Sequence, residues 1–169
     1  VRTGLGGASM LRFFRFRQAG GGDAAPTSRI VALRQRAATA AEGAALGLQG
    51  GGQVLAIERL RSLDGQPCLL EAIVLPLPLF EALAGLDSDG WGDLLYPLYQ
   101  RACGVVIHHA EDQLGFDRLT QPQARRLGLE KGHPCARVRR RAFDLAGRCV
   151  ELRTTLGDAF AFEYTAQVR

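Results

Sequence analysis

Val54-Leu-Ala-Ile-Glu-Arg-Leu-Arg61 runs into Asp64-Gly-Gln-Pro67 and on to Glu71. Side chains alternate along it, so Leu55, Ile57, Arg59, Arg61 and Leu63 share one face of an extended strand. Asp64-Gly65 is a hairpin signal, and Pro76 and Pro78 stop the chain beyond it. Strands are expected over Gln53–Leu63 and Pro67–Leu75. A three-residue turn, Asp64–Gln66, sets Arg59 opposite Glu71 and Arg61 opposite Leu69. Such a cross-strand ion pair is worth roughly 0.2–1 kcal/mol as a structural feature. As a site, Arg61 meets an anion while Glu71 orients Arg59 or accepts a ligand hydroxyl. The planar guanidinium fork suits two-point contact with phosphate or carboxylate.

Working outward, the hairpin belongs to a unit that occurs twice. Thr39, Leu46, Gly47 and Leu48 recur as Thr120, Leu127, Gly128 and Leu129. Arg59, Arg61, Asp64 and Glu71 recur as Arg139, Arg141, Asp144 and Glu151. Each copy reads as a short helix, a Gly-containing loop and a strand–turn–strand. Two Arg/Glu hairpins in pseudo-symmetric positions around one core make a place to hold a small anion. In the second copy, a three-residue turn puts Arg139 opposite Glu151, and a four-residue turn, Asp144–Gly147, puts Arg140 there. A slip of one residue exchanges the faces.

Elsewhere, Leu11–Arg17 alternates phenylalanine and arginine, and Ile30–Leu33 is a short apolar run; both read as strands. Ala38–Leu46 reads as a helix with Thr39 as N-cap and Gly47 past its end. A helical turn is expected at Leu79–Ala84 and helices at Leu94–Ala102 and Gln121–Leu127, with Pro122 in the first turn of the last. Further strands are expected at Gly104–Phe116, Cys135–Phe143, Cys149–Leu156 and Phe160–Val168, the final two joined at Gly157-Asp158. Hairpins in succession, with helices between them, predict an α+β fold with a mainly antiparallel sheet flanked by helices.

The 169 residues fit one domain, and 47% hydrophobic residues can build a core. No apolar run approaches the roughly 20 residues of a membrane span, and no signal peptide is visible, so a cytoplasmic protein is expected. Val1 in place of Met points to a partial or processed chain. Net charge is +4, but the basic residues are spread and Lys131 is the one lysine, so the domain is not expected to read DNA itself. Cys68, Cys103, Cys135 and Cys149 form no C-x-x-C pair and no zinc spacing, and read as reduced thiols; Cys68 and Cys149 fall on matching strands of the two copies, which would bring them close in space. No metal or cofactor motif is present: the glycine runs 20–22 and 50–52 lack a following helix, and no serine sits in a G-x-S-x-G elbow. His108-His109 lacks a carboxylate or cysteine at diagnostic spacing and reads as structural. Met10 and Trp91 read as packing residues.

Taken in order, several strings resemble one family. They are Val54–Arg61 with Asp64–Pro67 and Glu71, Pro26-Thr-Ser28, Leu95-Tyr96, Leu127-Gly-Leu129 before Gly132-His-Pro134, Val150-Glu151, and Gly157-Asp158-Ala-Phe160-Ala-Phe162. Together they resemble the UTRA domain, the effector-binding domain of GntR-type bacterial transcription factors of the HutC subfamily. The resemblance implies a chorismate-lyase-like fold, a small-molecule pocket, homodimerisation and no enzymatic activity. It further implies a winged-helix DNA-binding domain upstream, with residues 1–11 as the end of its linker and 12–169 as the ligand-binding domain. Carried over by position, Arg59 and Arg61 hold an anionic group, often a phosphate. Glu71 and Glu151 bind ligand hydroxyls or orient the arginines, and Tyr96 lies near the ligand. The strand with Phe16 and Arg17 lines the pocket. Members that bind amino-sugar phosphates often carry serine where this chain has Leu94, and a tyrosine that Thr154-Thr-Leu-Gly-Asp158 lacks. These departures weaken the match to an amino-sugar phosphate and leave a smaller or less polar acid equally expected. The expectation is a domain that senses an anionic metabolite (phosphosugar, phosphonate or carboxylate) and controls DNA binding by an attached domain. The alternatives are a chorismate-lyase-like enzyme acting on a small dicarboxylate and a purely structural dimerisation module.

Overall fold

The computed structural model describes residues 16–18 and 27–164. In chain order the elements are β1 (Phe16–Gln18), β2 (Thr27–Ala37), α1 (Ala40–Leu46), β3 (Gln53–Leu63), β4 (Gln66–Pro76), α2 (Glu81–Ala84), α3 (Leu95–Cys103), β5 (Ile107–Arg118), α4 (Gln121–Leu127), β6 (Pro134–Asp144), β7 (Cys149–Asp158) and β8 (Phe162–Tyr164). A 3₁₀ turn, Ser88–Gly90, precedes α3.

β3 and β4 form the predicted hairpin, with Arg59 opposite Glu71 and Arg61 opposite Leu69. The route to that register differs from the expected one. The turn has two residues, Asp64 and Gly65, both at positive φ (49° and 77°), the backbone pair that follows the twist of a tight hairpin. A bulge between Arg61 and Ser62 then restores the register.

Six strands form one antiparallel sheet in the order β2-β3-β4-β7-β6-β5. The order is palindromic by role: β2-α1-β3-β4 on one side of the β4/β7 seam is matched by β5-α4-β6-β7 on the other. The duplication in the sequence is therefore a pseudo-two-fold in the fold. It extends to local detail. Thr39 caps α1 and Thr120 caps α4, each in a reciprocal capping box, with Glu42 and Gln123 reaching back. Gly47 and Gly128 close the helices in the left-handed conformation. The helices cross the seam, α1 packing on β7 and α4 on β4.

The two faces of the sheet are filled differently. On one, Leu55, Ile57, Ile73, Leu75 and Ala142 pack against Phe80, Leu83, Trp91, Leu95, Leu98 and Tyr99. Trp91 is thus a packing residue, as expected. On the other face, Leu60, Leu70 and Leu156 pack against Leu119, Ala124 and Leu127 around α4.

Four expectations are corrected. In the second hairpin neither Arg139 nor Arg140 faces Glu151. Asp144 Oδ1 accepts from the backbone N–H groups of Ala146 and Arg148 (2.9 Å each), and a bulge follows between Ala142 and Phe143, so Ala142 stands opposite Glu151. Arg140 pairs with Arg153 and Arg139 with Thr154. β7 and β8 are not a hairpin: Gly157 and Asp158 belong to β7, and β8 pairs with β1 in a separate two-stranded ribbon. β2 is longer than the apolar run within it, beginning at Thr27. Cys68 and Cys149 lie at opposite ends of the β4/β7 ladder, beyond Leu69↔Gly157 and Val74↔Leu152 respectively, and all four cysteines are free. Of the strand expected at Leu11–Arg17, residues 11–15 lie outside the described residues, as does Met10.

Candidate functional site

Seven polar side chains are buried among the described residues, and six of them, Arg59, Arg61, Glu71, Arg140, Glu151 and Thr155, lie on the α3 face of the sheet. Burying charge is costly unless it is paired, so this concentration marks the face. It extends the apolar cluster along the same strand alternation: Leu55 and Ile57 lead to Arg59 and Arg61 on β3, and Ile73 leads to Glu71 on β4.

The first hairpin supplies a closed pair. Arg59 Nε donates to Glu71 Oε2, both side chains being at most 4% exposed. Arg59 Nη1 also donates to the backbone carbonyl of Asp93 (3.3 Å), and Asp93 Oδ1 accepts from the Ser28 N–H (2.6 Å). The loop before α3 is thereby tied to the β2 end and laid over Arg59. Burial pushes the Glu71 carboxyl up, but the guanidiniums of Arg59, Arg153 and Arg61 overcome this and hold it at about 2. Burial pushes the Arg61 guanidinium down to about 10; Glu71 opposes this, and the like charges of Arg59 and Arg153 add to it. Arg61 thus stays charged at neutral pH.

The second hairpin supplies a different arrangement. Glu151 is fully buried, and each of its oxygens accepts twice. Oε1 takes Arg153 Nε (2.9 Å) and the Tyr96 hydroxyl (3.2 Å); Oε2 takes Arg153 Nη2 (2.8 Å) and the Tyr99 hydroxyl (2.7 Å). Arg153 also lies over the Tyr96 ring, 5.3 Å from its centroid, with Nη1 3.5 Å from Glu71 Oε1. It therefore bridges the two hairpins. Burial with Glu151 beside it pushes Tyr96 up to about 12 and Tyr99 well above its ordinary value, so both are neutral donors. Arg140, next in the sheet to Arg153, makes a two-point pair with Asp112 of β5 (2.7 Å each).

Arg59, Arg61, Glu71, Tyr96 and Glu151, all singled out from the sequence, are thus brought together on the α3 face. Phe16 and Arg17 lie on β1, opposite Tyr164 and Glu163; their side chains lie outside what the structure describes. Sequence reasoning missed Arg153, Tyr99 and Asp93. Two signals were present: Arg153 follows Glu151 by two residues on one strand, and Tyr99 follows Tyr96 by three on one helix. The repeated pair Arg139 and Arg141 goes elsewhere. Both are exposed on the opposite face, where with Arg36, Glu42, Val74 and Leu152 they line an open groove of about 710 Å3 beside α1. His108 and His109 are also exposed, and His109 stacks on Phe143 at 4.6 Å. Among the described residues no group of three His, Cys, Asp or Glu side chains could hold a metal ion, and no helix is long and apolar enough to cross a membrane.

The sequence profile of the UTRA domain matches residues 22–163. Among solved structures, the ligand-binding domain of a protein from Bordetella bronchiseptica assigned to the GntR family of transcriptional regulators is 26% identical. It superposes with a TM-score of 0.81 over 92% of this chain and 96% of that one. A protein from Streptomyces coelicolor described as a transcriptional regulator is 30% identical, with a TM-score of 0.73 over 91% and 97%. The effector domain of PhnF from Mycobacterium smegmatis, at 23% identity, has the same fold, with a TM-score of 0.77 over 86% and 88%.

Proposed function

From the premise that this chain belongs to the UTRA domain family, we propose that its effector is a small anion held at the Arg59, Arg61 and Arg153 guanidiniums. The fold is chorismate-lyase-like, and the role is that of the effector-sensing domain of a GntR-type regulator. The observation that carries the ligand class is the burial of these guanidiniums around one carboxylate, Glu71, on a single sheet face. Like charges crowded out of water favour a ligand that brings negative charge to them.

The same geometry favours sensing over lyase chemistry. A general acid needs a proton to give near neutral pH. Glu71 is held ionised far below that range, and every acceptor position of Glu151 is already used by Arg153 and the two tyrosines.

In the whole regulator, residues 1–11 lead in from a winged-helix DNA-binding domain, and the sensing domain pairs with a second copy. Anion binding then changes the spacing of the two DNA-binding domains. Couplings of this kind are typically about 1–3 kcal/mol, enough to change operator occupancy without unfolding the domain. The test is a thermal-shift and calorimetric screen of the 169-residue chain against phosphosugars, phosphonates and carboxylates. A binding anion at 100 times its dissociation constant stabilises by about 2.7 kcal/mol. That stabilisation should vanish in Arg61→Ala. Binding that is unchanged in this variant removes Arg61 from the site.

A further inference from the structure

We infer that Arg153 is a ligand-recognition residue of this site, and that by closing on Glu151 it makes the site select a compact ligand with two acidic ends over a hydroxylated sugar phosphate. The ligand class is a short dicarboxylate or a carboxyphosphonate. The inference rests on the reading that an anion binds at Arg59 and Arg61.

Three observations carry it. First, Glu151 has no acceptor position to offer. A carboxylate has about four lone-pair sites, and all are occupied, two by Arg153 and one each by Tyr96 and Tyr99. Of the two roles expected for Glu151, accepting a ligand hydroxyl is therefore left no acceptor position, and orienting an arginine is the one its bonds to Arg153 match. Glu71 accepts from Arg59 through Oε2, with Arg153 close to Oε1. A polyol would bring hydroxyl donors to Glu151, which has no room for them, and leaving those hydroxyls unpaired would cost binding.

Second, the guanidinium of Arg153 is oriented by two contacts. Its Nε and Nη2 edge is fixed by the two-point pair with Glu151, and its face lies on Tyr96. The Nη1 end projects toward Glu71 at 3.5 Å, longer than a hydrogen bond. Nη1 thus offers donors to an incoming acceptor, already aimed and with little freedom left to lose.

Third, Arg153 reaches the site from the other side of the β4/β7 seam. Arg59 and Arg61 stand on β3, across β4 from it: Glu71 faces Arg59 on one flank and Thr155 on the other, and Ile73 faces Arg153. Cationic groups on two flanks of one carboxylate match a ligand with charge at two ends better than one with charge at a single end. Glu151 is a positioning residue in this arrangement, acting through Arg153.

The test compares matched probes by calorimetry on the 169-residue chain: malonate against acetate, phosphonoacetate against methylphosphonate, and sorbitol 6-phosphate as the polyol. In the wild-type protein the second acidic end should tighten binding at least about tenfold, as expected for one charge-assisted hydrogen bond, and sorbitol 6-phosphate should bind more weakly than phosphonoacetate. Arg153→Ser should remove the advantage of the second acidic end and, by releasing Glu151, narrow the gap to the polyol phosphate. Because Arg153→Ser leaves Glu151 buried without its cation, the double variant Arg153→Met with Glu151→Gln, which removes both charges together, gives the same readout if the single variant does not fold. A wild-type preference for the polyol phosphate overturns the inference. So does an advantage for two acidic ends that survives both variants. If binding depends on Arg61 but not on Arg153, this inference falls and the anion site stands. If no probe binds, or binding ignores Arg61, both fall.

Discussion

Glu71 is the residue through which pH acts on this site. Its carboxyl is held at about 2 in the fold against an ordinary value of 4.5. The folded state therefore binds the proton less readily than the unfolded chain, so this group's contribution is fully present above about pH 4.5 and is lost as pH falls toward 2. The span corresponds to at most about 3 kcal/mol. Thermal unfolding followed from pH 6 down to pH 2.5 should show a falling midpoint. In Glu71→Gln the curve should be flatter over that range, and starting lower, because Arg59 is left buried without its partner, at a cost of about 3–5 kcal/mol. A parallel pair of curves would show that Glu71 is not the titrating group. Tyr99 gives a milder case: Tyr99→Phe removes one of the four donors to Glu151, the 2.7 Å bond. It should cost about 1–3 kcal/mol in urea unfolding at pH 7.

The elements that carry these residues show where local rules suffice. α1 and α4 have seven residues each, too short to persist alone in water. Their termini are nevertheless fully specified: a threonine, a Glu or Gln three residues on, and a glycine after the last turn. Thr39→Ala and Thr120→Ala should each cost about 1 kcal/mol, and the two costs should add, since the capping boxes share no partner. The first hairpin follows the same logic. Gly65 sits at φ +77°, so Gly65→Ala should destabilise by about 1 kcal/mol. In the second hairpin the Asp144 carboxylate organises a longer loop, and its bulge moves the ladder. Turn composition was readable there, but the place of the bulge was not, because a bulge forms where cross-strand packing rewards it. The alignment of Arg139 and Arg141 with Arg59 and Arg61 failed for this reason. The inward face of β6 belongs to Val138, Arg140 and Ala142, and the sequence repeat is out of step with the structural one by a residue.

At the scale of the molecule, the two halves are interlocked. α1 of the first half covers β7 of the second, and α4 of the second covers β4 of the first. Neither half can bury its own helix alone, so the domain should unfold in one step. Leu46→Ala and Leu127→Ala truncate the buried anchor of one helix each. Each should lower a single calorimetric transition by about 2–5 kcal/mol without revealing a second. Two resolved transitions in either variant would show the halves to be independent. The interlock has a functional consequence, because the site straddles the seam. Arg59 and Glu71 come from one half, and Glu151 and Arg153 from the other. Under the proposed function, an anion held by Arg61 and Arg153 would bridge the two halves, which pack as one body.

The sequence by itself determined the strands, the capped helices, the duplication and the Arg59–Glu71 pair. The strands, caps and ion pair depend on alternation, turn chemistry or end capping within about twenty residues, and the duplication on the same residue strings recurring later in the chain; both are written directly in residue order. Tertiary structure alone decided that β4 and β7 meet, that β8 leaves its neighbour for β1, and that Arg153 reaches across the seam to Glu71. These contacts join residues dozens of positions apart. They were selected because a charge buried on one element must find its counter-charge on whichever element the packing brings beside it.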